Sequence, residues 1–199
     1  DSGMSVMEMS HRSKVFIDIF EETKENFKEI LKVPDDYEIL FLQGGGSLQF
    51  SMAAMNLISR TGKADYAITG NFSNLAYKEG QKYGKCRIAA SSADKNHTYI
   101  PKQDELSLDP EASYFYYCDN NTIYGTEWKY VPDTGSVPLV CDMSSNILTK
   151  PVDVSKFGII FAGAQKNMAP AGVTVSIVKK DLAGHELPYT PVMLSYATM

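Results

Sequence analysis

Phe157-Gly-Ile-Ile-Phe-Ala-Gly-Ala-Gln-Lys-Asn167 is the stretch whose reading decides the fold. Its apolar run reads as a buried strand, and the small residues that end it leave Lys166 on a tight turn between Gln165 and Asn167. Lysine avoids full burial unless it is paired or functional. An amine held at the end of a core strand can have its pKa lowered and become a nucleophile toward carbonyls. A solvated loop lysine is the alternative reading of the same residue.

Working outward, Pro138-Leu-Val-Cys-Asp-Met-Ser-Ser145 is a second short apolar strand, and it ends on an acid, Asp142, followed by two hydroxyls. An aldehyde cofactor that condenses with lysine, pyridoxal phosphate, needs a carboxylate at its pyridinium nitrogen to keep the ring an electron sink. Lys166 and Asp142 are the candidate pair. In a parallel sheet the strands open their carboxyl ends into one crevice, so residues distant in sequence converge there.

Gly163-Ala-Gln-Lys-Asn167, with Ala169-Pro-Ala-Gly-Val173 after it and Cys141-Asp-Met-Ser-Ser145 before it, resembles the phosphoserine aminotransferases of the class V family, which have the type I pyridoxal-phosphate fold. Ser10-His-Arg12, Gly44-Gly-Gly46 and Cys118-Asp-Asn-Asn-Thr-Ile-Tyr-Gly125 fit the same family in the same order. The resemblance runs over essentially the whole chain. It implies an α/β large domain over residues 1–185, a mostly parallel sheet flanked by helices, without the family's N-terminal arm. Residues 186–199 then begin the connection to a C-terminal small domain. The opening Asp1-Ser-Gly3, in place of an initiator Met, is expected of a fragment or processed chain.

Composition sets the outer limits. The 199 residues are 44% hydrophobic and 22% charged, which is ordinary for a globular domain with a sizeable core. A formal charge of −5 argues against a nucleic-acid or anionic-membrane surface. No apolar run is long enough to span a bilayer, and no secretory signal pattern opens the chain. Cys86, Cys118 and Cys141 make neither a disulfide framework nor a metal-ligand spacing, so free thiols in a reducing cytoplasm are expected and no metal is.

In chain order, Ser10-His11-Arg12 precedes a helical pattern carried by Phe16, Ile19, Phe20, Phe27, Ile30 and Leu31, which Lys32-Val33-Pro34 ends. His11 and Arg12 lie near its first turn, where free amides favour an anion; the resemblance makes them contacts to a substrate phosphate. Glu38–Leu42 reads as a strand, Gln43–Gly46 as a turn and Ser47 to Ser59 as a helix, an arrangement that cradles phosphate. The run is neither a Walker loop nor a dinucleotide fingerprint. By resemblance, Gly46 and Ser47 bind the cofactor phosphate, although many family members have arginine at the position of Ser47.

A second strand, Ala64–Gly70, leads into a helix from Asn71 to about Tyr83. Phe72, directly after the strand, is either a core residue or a face for stacking on a flat ring; the resemblance favours stacking, with tryptophan the family's usual residue. Cys86–Ser91 reads as a further strand, and Tyr114–Cys118 as the strand that delivers Thr122. By resemblance Thr122 hydrogen-bonds the cofactor's ring hydroxyl, and a turn hydroxyl capping its own backbone is the alternative. Thr126–Tyr130 reads as a short ribbon near the site entrance, and Gly172–Val178 as a β-branched strand. By resemblance Gln165 lies beside the ring or its phosphate.

The implied activity is transamination between O-phospho-L-serine and 2-oxoglutarate, giving 3-phosphohydroxypyruvate and L-glutamate, in serine biosynthesis. Its catalytic acid–base is Lys166, and its site is shared between the subunits of a homodimer. An alanine–glyoxylate-type aminotransferase would keep Asp142 and Lys166 without needing His11 and Arg12. A third reading is a non-catalytic domain that binds cofactor or a partner subunit, and residues 1–199 alone are expected to turn over weakly or not at all.

Overall fold

The computed structural model describes residues 3–199; Asp1 and Ser2, part of the opening read above as a fragment's start, lie outside the described residues. The first helix, α1, spans Lys14–Leu31, with Ser13 accepting the Phe16 N–H as its cap and Lys32 turning the chain out at φ 51°. Phe20 and Phe27 meet the ring of Phe41 edge-on, with centroids 5.1 and 5.9 Å apart. Ile30 was expected in this apolar stripe but is 66% exposed. It lies about 60° around the helix from Phe27, and the strand beneath is the sheet's edge, so that flank has nothing to pack on.

Strand β1 (Tyr37–Leu42) leads through Gly44, at φ +86°, straight into α2 (Gly45–Leu57). The left-handed glycine turns the chain onto the helix axis at once, so α2 starts two residues before the expected Ser47. Strand β2 (Lys63–Ile68) is followed by α3 (Asn71–Gly80). That helix stops short of Tyr83, because Lys82 and Tyr83 turn back to carbonyls three residues earlier in a tighter coil. Then come β3 (Lys85–Ser91), β4 (Phe115–Cys118), a two-residue ribbon of β5 (Asn120–Asn121) and β6 (Thr126–Glu127), β7 (Leu139–Asp142), β8 (Ile159–Gly163) and β9 (Thr174–Lys179).

Seven strands form one sheet in the order β1-β9-β8-β7-β4-β2-β3, and β9 is the one that runs against the rest. The mostly parallel sheet expected from the sequence is therefore present. Every residue of β4, β7 and β8 is buried, as a sheet covered on both faces requires. Leu40, Tyr66, Tyr116, Val140 and Phe161 face the layer of α2 and α3, whereas Ile39, Tyr117, Cys141 and Ile160 face the layer that includes Leu31 and Trp128. Strand–helix alternation stops after β3. The β4–β7 connection holds the β5–β6 ribbon and no helix, and the β7–β8 connection holds a single short 3-10 coil at Val154–Lys156.

The strand order sets the location of the site. From β2 the chain first adds β3 on one side and then crosses to place β4 on the other. A crevice opens beyond the carboxyl ends of strands at such a reversal, and here it is walled by the segments that follow β2 and β4.

Candidate active site

The turn that carries Lys166 is tied down on both sides. Ala164 N–H donates to Val173 O at 3.0 Å, Met168 N–H to Ala164 O at 3.2 Å, and Asn167 Nδ2 to Ile147 O at 2.6 Å. From it the Lys166 amine reaches across the crevice, donating to Thr122 Oγ1 at 2.7 Å and lying 4.6 Å from the centroid of the Phe72 ring. Three residues that the sequence singled out separately thus meet at one nitrogen. Gln165, Lys166 and Asn167 are all exposed, because the turn projects past the strand end into the crevice.

Phe72 and Thr122 are held in place by residues that the sequence reading left without a role. Ser73 Oγ accepts the N–H groups of Thr69 and Gly70 at 3.0 and 3.1 Å, closing the turn that aims Phe72. Thr69 Oγ1 donates to Asn121 Oδ1 at 3.1 Å, and Asn121 Nδ2 donates to Thr126 O and Oγ1 at 3.2 and 3.1 Å. One buried asparagine therefore joins the loop after β2 to the ribbon after β4. Hydroxyl and amide side chains just past strand ends were the available signal.

Asp142 ends β7 and is 5% exposed. Burial raises its carboxyl above the ordinary range, opposed first by the Ser144 hydroxyl, then by the Ser144 backbone amide and the charge of Lys166. Both Ser144 groups donate to Oδ1, at 2.6 and 2.9 Å, and no hydrogen bond from a described residue reaches Oδ2. Ser144 Oγ in turn accepts the N–H of Gly163, at 3.0 Å, at the end of the neighbouring strand.

The first turn of α2 packs on the same strand ends. A Cβ added to Gly163 would lie 2.8 Å from Gln165 Oε1 and 3.4 Å from Gly46 N, which places the strand end, the helix turn and Gln165 side by side. No side chain caps α2, and the amides of Gly46 and Ser47 make no hydrogen bond within the described residues. Free amides at the start of a 13-residue helix are an anion site. His11 and Arg12 stand apart. Both are exposed and lie just before the Ser13 cap, near the first turn, and no side-chain bond links them to the crevice among the described residues.

A cavity of about 550 Å³ lies at the opposite pole, between the starts of β7 and β8 and the end of β9, lined by Arg60, Leu139, Gly158 and Lys179 among others. None of the candidate groups lines it. The crevice at the switch point, where an amine, a buried carboxylate, an aromatic face and free helix amides converge, is the candidate site. Among the described residues no cluster of His, Cys, Asp and Glu could hold a metal, and no helix is long and apolar enough to cross a membrane. Cys118 and Cys141 are buried free thiols; Cys86 is half-buried, and burial pushes it up to about 11.

Residues 2–192 match the family model for class-V aminotransferases. The chain belongs to the class-V aminotransferase family. Among its class-V relatives, the phosphoserine aminotransferase of Drosophila melanogaster is 52% identical over 199 residues, which is 100% of this chain and 54% of that protein. That of Lysinibacillus sphaericus (strain C3-41) is 50% identical over 198 residues, or 100% of this chain and 55% of that protein. A solved phosphoserine aminotransferase from Bacillus circulans subsp. alkalophilus superposes with a TM-score of 0.94 at 44% identity, covering 99% of this chain and 55% of that one. A PLP-bound phosphoserine aminotransferase from Trichomonas vaginalis gives 0.92 at 40% identity, covering 99% and 59%. This class-V chain thus has the fold of those enzymes and spans about half the length of the curated relatives it matches.

Proposed function

We propose that this chain is the cofactor-binding large domain, residues 1–185 with a connecting segment at 186–199, of a pyridoxal-phosphate-dependent aminotransferase acting on O-phospho-L-serine and 2-oxoglutarate in serine biosynthesis. The observation that carries the reading is the meeting of Lys166, Phe72 and Thr122 at one nitrogen, within electrostatic reach of the buried Asp142. Names and structures of relatives at 40–52% identity favour the same reading. The residues present fit the cofactor. Asp142 has one oxygen without a protein donor, and the helix start at Gly46 and Ser47 has amides without acceptors.

Pyridoxal phosphate supplies an electron sink for the pair left when the substrate's Cα proton is removed. Around it each residue has a defined task. Asp142 Oδ2 would hold the proton on the ring nitrogen, Phe72 would pack on the ring face, and Thr122 would bond the ring hydroxyl. Gly46 and Ser47 bind the phosphate through their amides, and Gln165 lies beside it. Lys166 would tether the cofactor through its amine and, when free, would take the proton from the substrate's Cα and return it as general acid–base. A path for that proton transfer is open because the amine sits on the crevice surface, bonded only to a hydroxyl.

The guanidinium of Arg12 and the imidazole N–H of His11 suit a phosphate-bearing substrate, and neither side chain has a hydrogen-bond partner among the described residues. The active unit is a cytoplasmic homodimer in which a second subunit completes the site. Absorbance on adding pyridoxal phosphate, then borohydride reduction and peptide mapping, tests the assignment: the label falls on Lys166, and a label on another lysine overturns it. Turnover of O-phosphoserine far above that of serine and alanine is the expected substrate result; equal turnover overturns the phosphate specificity.

A further inference from the structure

We infer that Ser144 is the positioning residue of this site: its hydroxyl ties Asp142 Oδ1 to the amide of Gly163 and leaves Oδ2 as the oxygen presented to the cofactor ring. The inference rests on the role proposed above for Asp142 and goes a step further, to what makes that role possible.

The direction of the relay is forced. The amide of Gly163 can only donate, so Ser144 Oγ accepts from it, at 3.0 Å. The one hydroxyl proton is then free for Asp142 Oδ1, 2.6 Å away, and the Ser144 backbone N–H donates to the same oxygen at 2.9 Å. Two donors on one oxygen stop the carboxylate from rotating. They also decide where a proton would go if Asp142 were neutral. Oδ1 has no acceptor to donate to, so the proton would sit on Oδ2, facing the ring nitrogen with a donor where an acceptor is needed. Ser144 therefore favours the ionised form, against the burial that disfavours it.

The other titratable groups facing Asp142 do little to help. Tyr116 and Cys118 on β4 and Cys141 on β7 are all driven upward by burial and stay neutral near pH 7, and Lys166 is the one cation that lowers its pKa. Lys166 is also the group that must leave its place during turnover, which makes Ser144 the constant stabiliser of the charge. The same hydroxyl would lie 3.3 Å from a Cβ on Gly46, so it touches the phosphate-binding helix turn as well as the strand that carries the lysine.

The test uses the full chain with ¹³C-labelled aspartate, the Asp142 carboxyl being assigned with Asp142→Asn and titrated by NMR without cofactor. In Ser144→Ala, and in Ser144→Cys, which keeps the volume but donates weakly, the titration moves to higher pH. Their affinity for pyridoxal phosphate falls about tenfold near neutral pH, the loss of roughly one charge-assisted hydrogen bond, and recovers as the pH is raised. Ser144→Thr keeps the hydroxyl and restores both. An unmoved titration in folded Ala and Cys variants overturns the inference, as does an affinity loss that raising the pH does not recover. Asp142→Asn binding the cofactor as tightly as the native chain is a separate outcome: it overturns the role of Asp142, while the carboxyl titration still judges Ser144.

Discussion

Asp142→Asn should make the cofactor-free protein more stable and the enzyme nearly inactive. The amide keeps an oxygen where Ser144 donates at 2.6 and 2.9 Å, so both bonds survive as neutral ones. Charge-assisted bonds are about twice as strong as neutral ones, so the change forfeits about 1 kcal/mol for each. Against this, taking a charge out of a 5%-exposed position relieves a desolvation cost of about several kcal/mol. Burial outweighs the two Ser144 bonds in setting the direction of the carboxyl's shift, so the balance goes to the amide. A net gain of about 1 kcal/mol, or a Tm rise of about 2–4 °C, is expected above neutral pH.

The pH dependence of that gain has a fixed sign. A carboxyl raised in the folded state favours the protonated fold. Its penalty is absent below the unfolded value near 3.8, grows as the pH rises toward the folded value, and is constant beyond it. Urea unfolding of both proteins at about pH 8 and at about pH 4 measures the gap, which should narrow on acidification. Transamination should fall at least about a hundredfold, the usual effect of removing one preorganised charge from a reacting centre. An amide less stable than the carboxylate at the higher pH, or a gap that acid does not change, would refute the reasoning.

Other outcomes follow from the same geometry. Lys166→Ala abolishes transamination yet alters stability by less than about 0.5 kcal/mol, since the side chain is exposed; equilibrium unfolding beside an activity assay checks both. Phe72→Trp enlarges the face beside Lys166 and tightens cofactor binding by about 0.5–1 kcal/mol, read as a lower Kd in an absorbance titration. Replacing His11 and Arg12 together by Ala raises KM for O-phosphoserine by about tenfold and leaves serine, which has no phosphate to lose contact with, unchanged. Asp65→Ala lowers stability by about 2–3 kcal/mol, because its buried carboxylate accepts Arg87 Nε, Arg87 Nη2 and Asp109 N–H at 2.9, 2.8 and 2.7 Å; thermal melting reports the loss.

How much of this was legible in the sequence depended on whether the signal was local. Strand β8 and its lysine turn were legible because an unbroken apolar run ends on small residues within one short stretch, and no distant residue changes that reading. The start of α2 was misplaced by two residues because Gly45 and Gly46 have poor helix propensity, and only the left-handed Gly44 makes them helical. Ile30 was misassigned because periodicity describes a helix and not the width of the sheet beneath it. Ser144, Thr69 and Asn121 act through partners 19 and 52 residues away, and such separations leave no local pattern to read.

Those long-range bonds also explain why an exposed crevice can be ordered enough for chemistry. Phe72 lies four residues past the end of β2, Lys166 three past β8, and Thr122 directly after the two-residue β5, so none is fixed by the ladder of the main sheet. Loops of that length drift unless their buried polar groups leave them one arrangement. Here Thr69–Asn121–Thr126 ties the loop after β2 to the ribbon after β4, and Asp142–Ser144–Gly163 ties β7 to β8. The Thr69–Asn121 bond and the Asp142–Ser144–Gly163 chain are buried, so breaking one of these leaves an unpaired polar group and costs about 1–3 kcal/mol. The rigidity of the core is thereby carried past the strand ends to the residues that touch the ring, which is why the loops can be open to substrate without being loose.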